Sequence, residues 1–243
     1  MKVAAILPAA GHGTRMGKAV SERYGSDRKQ FMKLGGVSIL ELTIRKFLAV
    51  PSVKEIFVAV PEGSVSSVRA SISDSTARER VRVMAGGRNR QESVGRCLDA
   101  VSDDFELVAV HDGVRPFVPV KLIAEALERA RTRRAVILGM PAEETVKQVS
   151  TTVVEATLPR ERLMLVQTPQ VFATRLLKRA FAKARREKFL GTDESSLVEH
   201  LNEDVFVMRG SARNIKITRP HHMSLAELYY EEECREAAAD HQL

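Results

Sequence analysis

The sequence predicts an α/β fold in which a mostly parallel sheet is covered by helices on both faces and a β-arm projects from it. Three observations carry this. Short apolar runs alternate with helical stretches over the first 140 residues, the pattern of βα units. The runs are apolar at nearly every position, as strands buried on both faces are. Residues 142–165, rich in Thr and Val, then break the rhythm.

Taken in order, "VAAIL" (3–7) reads as the first buried strand. The stretch 38–50 reads as a helix: Ser38 followed by Glu41 forms a capping box, and Ile39, Leu40, Ile44, Phe47 and Leu48 recur at helical spacing. Strands follow at 55–61, 81–87, 106–112 and 135–141, with helices at 90–101 and 118–133 between them. Residues 142–165 read as extended strands around a turn, either a projecting arm or an ordinary surface hairpin. Helices at 174–188 and 193–201, a strand at 205–210, the segment "NIKITRP" (214–220) and a long terminal helix complete the chain. With no internal repeat and no linker, residues 1–243 are expected to form one domain carrying the arm.

Composition narrows the class. A chain of 243 residues with 44% apolar and 28% charged residues is that of a globular protein. No apolar run reaches the length of a membrane span, and the opening "MKVAAILPAAG" is too short in its apolar part for a secretion signal. The chain is therefore expected in the cytoplasm and off the membrane. Cys97 and Cys234 lie in helical stretches outside any CxxC pair and read as two buried thiols, not a disulfide or zinc site. The net charge of +7 suits an anionic partner.

In such sheets ligands lie beyond the carboxyl ends of the strands, which directs attention to the residues following Leu7, Val60, Ala85, Val110 and Met140. The first of these loops is "PAAGHGTRMG" (8–17). It fails the dinucleotide fingerprint, because Gly11 and Gly13 are followed by Met16 where a third glycine belongs, and it fails the P-loop pattern, because His12 stands where that motif begins with glycine. What remains is a glycine-rich turn with Arg15 and several backbone N–H groups, suited to an anion and equally to a plain structural turn. The other strand ends decide. "GGRNRQESV" opens into a helix at Ser93; "HDGVRP" places Asp112 beside Arg115, where a carboxylate serves as a magnesium or ribose contact or as a helix cap; "QTPQ", "TDESS" and Lys216 in "NIKITRP" follow.

Together, "PAAGHGTRMG", "KQF", "GGRNRQESV", "HDGVRP", "TPQ", "TDESS" and "NIKITRP" resemble, in order and over nearly the whole chain, the cytidylyltransferases that act on 2-C-methyl-D-erythritol 4-phosphate. The resemblance implies a Rossmann-like nucleotidyltransferase fold with a mostly parallel mixed sheet. It implies transfer of a cytidylyl group from CTP to methylerythritol phosphate with release of pyrophosphate, in the non-mevalonate route to isoprenoids. It also implies a divalent cation, magnesium, and a homodimer in which each arm reaches the other subunit's site. By similarity, Arg15, Lys29 and Lys216 are the catalytic cations. Ala9, Ala10, Gly11, Gly13, Gly87, Ser93, Asp112 and Gly113 would bind CTP. Asp112, Arg115, Thr145, Arg160, Thr168, Thr192 and Lys216 would bind the acceptor, and Asp112 would serve a metal held chiefly by the triphosphate.

The chain departs from the family's pattern in places. Arg28 stands where proline is common, the loop "KAVSERYGSDR" (18–28) is longer and more charged, Gly113 replaces a common alanine and is expected to loosen its turn, and Arg88 occupies a position that can be acidic. A sister enzyme using ribitol 5-phosphate would share the nucleotide half. A basic RNA-binding protein is disfavoured, since the nine Phe and three Tyr form no stacking cluster among basic residues. The chemistry suits these residues: an ionised phosphate is its own nucleophile and needs positioning and positive charge, not a general base.

Overall fold

The computed structural model describes residues 1–11, 16–72 and 75–240. Among these the strands are β1 (Val3–Pro8), β2 (Lys33–Leu34), β3 (Val37–Ser38), β4 (Val53–Val60), β5 (Val81–Ala85), β6 (Leu107–Val110), β7 (Ala135–Pro141), β8 (Val146–Ser150), β9 (Val153–Leu158), β10 (Met164–Ala173) and β11 (Phe206–Arg209). The α-helices are α1 (Lys18–Arg23), α2 (Ile39–Leu48), α3 (Val65–Ser71), α4 (Ser75–Arg80), α5 (Arg90–Ala100), α6 (Val120–Arg133), α7 (Thr174–Glu187), α8 (Glu194–Glu199) and α9 (His221–Asp240).

The main sheet has seven strands in the order β11-β7-β10-β6-β1-β4-β5. Strands β6, β1, β4 and β5 run parallel to one another, and β7 runs parallel to β11. Strand β10 alone is antiparallel, wedged between β6 and β7. Both faces of β1 are buried: Val3, Ala5 and Leu7 join one apolar cluster with α2 and α6, while Ala4 and Ile6 join the other with α5 and α7. This two-sided burial is why the strand reads as a continuous apolar run. A third cluster lies outside the sheet, where Met16, Met32 and Ile39 pack with Phe117, Ile217, Met223 and Ala226 and seat α9 against the segments near the site.

The chain folds β1, β4, β5 to one side and then returns to place β6 on the other side of β1. The carboxyl ends of β1 and β6 therefore flank the point where strand order reverses, the crevice in which doubly wound sheets bind ligands.

Helix starts agree with the sequence. The Ser38 hydroxyl accepts from the Glu41 N–H at 3.1 Å, though the Glu41 carboxylate pairs forward with Arg45 instead of returning to the cap. Asp193 caps α8, accepting from the Ser196 N–H at 3.0 Å. Three expectations need correction. Residues 164–173 form a full strand of the main sheet, so the projecting hairpin is confined to β8 and β9. Cys97 is buried, which pushes its thiol up to about 12, but Cys234 is exposed on α9. Gly113 does not loosen a turn: a Cβ there would lie 3.0 Å from the Ala9 Cβ and 3.1 Å from Leu40, so glycine permits β6's exit to pack closely on β1's exit.

Candidate active site

The first loop is tied to its neighbours by backbone bonds. The Ala9 N–H donates to the Ala59 carbonyl at 2.7 Å and the Gly86 N–H to Val60 at 2.8 Å, bringing the exits of β1, β4 and β5 side by side. A Cβ on Gly86 would stand 2.4 Å from the Ala10 Cβ, so only glycine lets these two loops approach. The Gly87 N–H donates to the Ser93 hydroxyl, which in turn donates to the Asn89 carbonyl. Buried Gln30 spans the other side, donating to the carbonyls of Ala9 at 2.7 Å and Gly11 at 3.0 Å. Gln30 follows Lys29 directly, so these bonds fix the turn that carries that lysine against the loop. Of the residues expected around the nucleotide, Ala9, Ala10, Gly11, Gly87 and Ser93 thus share one edge; Arg15 and Gly13 lie outside the described residues.

Across the switch point stands a charged cluster built on Asp112, whose side chain is 8% exposed. Its carboxylate meets Lys216 Nζ at 2.8 Å, Arg90 Nε at 3.1 Å and Arg115 Nε at 3.4 Å. Burial would raise the Asp112 carboxyl, but Arg90, Lys216 and Arg115 outweigh it and hold the group well below the usual carboxylate range. Arg90 also grips the buried Glu194 with Nη1 at 2.7 and 2.8 Å from its two oxygens. Burial lowers the Arg90 pKa, yet Glu194 and Asp112 more than restore it, so the guanidinium stays charged. Three cations thus face two carboxylates, leaving a surplus of positive charge at the crevice.

Three segments distant in sequence are laced together here. Arg115 Nη1 donates to the Asn214 carbonyl at 2.7 Å, and Asn214 Nδ2 donates to the Thr168 carbonyl at 2.7 Å. The Thr168 hydroxyl accepts from the Asp112 N–H at 3.0 Å. The β10 ladder shifts register between Gln167 and Gln170, which frees the Thr168 carbonyl for Asn214. Burial pushes the fully enclosed His111 ring down to about 4, against the opposing Arg115 carbonyl and Asp112 charge.

The structure therefore gathers Asp112, Arg115, Thr168 and Lys216, with Gly113 packed on Ala9 between the two halves. Thr145 and Arg160 are exposed on and beside the hairpin, Arg160 bonding to the Glu143 carbonyl, and Thr192 is exposed ahead of α8. These three make no hydrogen bond or ion pair to the Asp112 cluster. Sequence reasoning did not single out Arg90, Glu194, Gln30 or Asn214. The signals were there: Arg90 in "GGRNRQESV", Glu194 in "TDESS" and Gln30 in "KQF" sit inside quoted motifs.

Among the described residues no group of three or more His, Cys, Asp or Glu could cage a metal ion. Asp112, expected to serve a metal, already answers three cations. A magnesium ion at this crevice would share the Asp112 carboxylate with those three cations.

A glycine-lined crevice at the switch point of a doubly wound sheet, facing clustered cations, suits the phosphates of a nucleotide, as a nucleotidyltransferase requires. A profile of 2-C-methyl-D-erythritol 4-phosphate cytidylyltransferases matches residues 3–232, and the chain belongs to that family. The family's reaction is CTP-dependent cytidylyl transfer to 2-C-methyl-D-erythritol 4-phosphate in isoprenoid synthesis. The chain is 53% identical to the Solibacter usitatus enzyme of that name, over 96% of this chain and 97% of the relative. It is 44% identical to the one from Acidobacterium capsulatum, over 94% and 97%. The crystal structure of the Thermus thermophilus enzyme superposes with a TM-score of 0.75 at 34% identity, covering 94% of this chain and 98% of that one. The 4-diphosphocytidyl-2C-methyl-D-erythritol synthase of Anaerococcus prevotii superposes with a TM-score of 0.80 at 28% identity, covering 95% and 98%.

Proposed function

We propose that this chain accelerates cytidylyl transfer by charge and position alone. The observation that carries this is the convergence of Lys216, Arg90 and Arg115 on Asp112 beside the glycine-lined crevice. The acceptor phosphate is ionised at neutral pH, so no proton need be removed from it. The difficulty is the repulsion between that anion and the triphosphate. Fixed cations that match charge building on the α-phosphate and on departing pyrophosphate relieve it.

In this reading Ala9, Ala10, Gly11, Gly13, Gly87 and Ser93 cradle the cytosine and ribose. Arg15 and Lys29 face the triphosphate, and Lys216 lies where the two phosphates meet. Asp112 orients Lys216 and Arg115 and meets the sugar side. Magnesium enters with CTP, its charge neutralising phosphate oxygens. Arg115, Thr168 and Thr192 receive the acceptor, with Thr145 and Arg160 supplied by the hairpin of a second copy. Exposed Val149, Val153 and Val154 on that hairpin, each more than half open to solvent, support its use as a dimer contact. No helix among the described residues is long and apolar enough to cross a membrane, in keeping with an enzyme working in the cytoplasm.

Pyrophosphate release with methylerythritol phosphate present is expected from CTP and not from ATP, GTP or UTP. Equal release from all four would defeat the cytidine assignment, and preference for ribitol 5-phosphate in a direct competition would reassign the acceptor. Sharing of the site across a dimer has its own test. Arg15→Ala and Arg160→Ala protomers, each inactive alone, are expected to recover up to about a quarter of wild-type turnover when mixed. Half of random dimers are mixed, and each mixed dimer holds one intact site. No recovery after subunit exchange is shown would mean that each chain builds its own site.

A further inference from the structure

Among the described residues, His111 is a fully buried titratable side chain beside the crevice to which the proposed chemistry gives no task, and its hydrogen bonds are restrictive. Its Nε2 lies 3.1 Å from the Arg115 carbonyl oxygen. A carbonyl can only accept, so Nε2 carries a proton. Its Nδ1 lies 3.1 Å from the Thr168 hydroxyl. That hydroxyl already accepts from the Asp112 N–H. In a neutral ring protonated at Nε2, Nδ1 offers a lone pair, and the Thr168 hydroxyl fills it with its only proton. The ring's charged neighbours, Asp112 and Arg115, are on its own loop; α2 presents the Phe47 ring, 5.0 Å between centroids, and β10 presents Thr168, both uncharged.

We propose that His111 is a positioning residue of the acceptor pocket: as the Nε2–H tautomer it consumes the Thr168 hydroxyl proton, so that Thr168 meets the polyol phosphate only as a hydrogen-bond acceptor. The remaining lone pair of the Thr168 oxygen then selects a donor, which a polyol hydroxyl supplies and a phosphate dianion does not. His111 thereby separates the two ends of the acceptor, repelling its phosphate from Thr168 and directing it toward Arg115 and Lys216. Through its bond to the Arg115 carbonyl, the same ring fixes the loop that carries Asp112. This inference rests on the assignment of Thr168 to the acceptor pocket.

The test uses the full-length enzyme. Long-range proton–nitrogen correlation spectra of histidine-labelled protein at neutral pH are expected to show His111 protonated on Nε2, with an unprotonated Nδ1 that accepts a hydrogen bond from Thr168. The Nδ1–H tautomer, or a doubly protonated ring, would overturn the proposal. Steady-state kinetics supply the second arm. In His111→Asn the amide oxygen stands near the place of Nδ1 and still accepts from Thr168, so the KM for methylerythritol phosphate is expected to stay within about threefold of wild type. In His111→Gln the amide reaches the Arg115 carbonyl instead and Thr168 is released; that KM is expected to rise about tenfold. The KM for CTP stays within about twofold in both. Equal effects of the two variants, or a parallel rise in the KM for CTP, would reduce His111 to a packing role and sink the proposal. Thr168→Val separates the underlying reading: an unchanged acceptor KM there would remove Thr168 from the pocket, whatever tautomer the spectra report.

Discussion

Lys216→Ala is expected to lower kcat by about 10² to 10³ while leaving the fold intact, the loss typical of removing one well-placed charge-stabilising donor. Lys216 belongs to no helix or strand; its place is set by its neighbours. The Asn214 side chain bonds to Thr168 and Gln167, the Ile217 N–H donates to the Val114 carbonyl at 2.9 Å, and Ile217 is fully buried. The backbone is thus held on both sides of the lysine without help from its side chain, which is 40% exposed. Truncation therefore removes a charge and little packing. Turnover measured by pyrophosphate release, beside a thermal melt, checks both halves of the statement. A kcat within about threefold of wild type would remove Lys216 from the reacting phosphates. A collapse of the melt would make it structural instead.

The second large effect concerns stability. Asp112→Ala leaves Arg90, Arg115 and Lys216 converging on a site whose shared carboxylate is gone, with Glu194 left to answer Arg90 alone. Removing one partner of a buried ion cluster typically costs about 3–5 kcal/mol, and for a chain of this length each kcal/mol lowers Tm by about 2–4 °C. A fall of roughly 6–20 °C is expected, together with severe loss of activity. The pH dependence has a definite sign. The folded carboxyl is held below its unfolded value, so its contribution is complete above the ordinary carboxylate pKa and is withdrawn as pH falls through the folded one. The stability gap between wild type and Asp112→Ala is therefore full at neutral pH and narrows below about pH 4. A gap that stayed constant into acid would mean that Asp112 contributes by shape, not charge.

Much of this architecture is legible in the residues because local chemistry and tertiary need agree. The strands β1, β4, β5, β6 and β7 are short apolar runs between amphipathic helices, and their ends fall close to the glycines and charges that follow them. Strand β10 is different. "MLVQTPQVFA" carries two glutamines, a threonine and a proline, and Leu165 and Val166 near its start are exposed. Its partners lie before it, β6 by more than 50 residues, and neither periodicity nor composition records an antiparallel insertion between strands already laid down. The charged cluster hides for a related reason. Arg90 and Glu194 are 104 residues apart, and each by itself looks like a solvated surface residue. Their burial follows only from the convergence of α5, α8 and the exit of β6. Cys234 fails in the opposite sense, since a long terminal helix shows half its circumference to water.

The last strand of the main sheet ends at Arg209, yet Lys216, the lysine proposed to meet the phosphates, comes seven residues later, and the helix that seats its segment runs on to Asp240. Architecture and competence are therefore completed at different moments. In chain order, every strand of the described main sheet precedes Lys216, so a chain truncated after Arg209 would hold all seven strands and lack the charge proposed for the transfer.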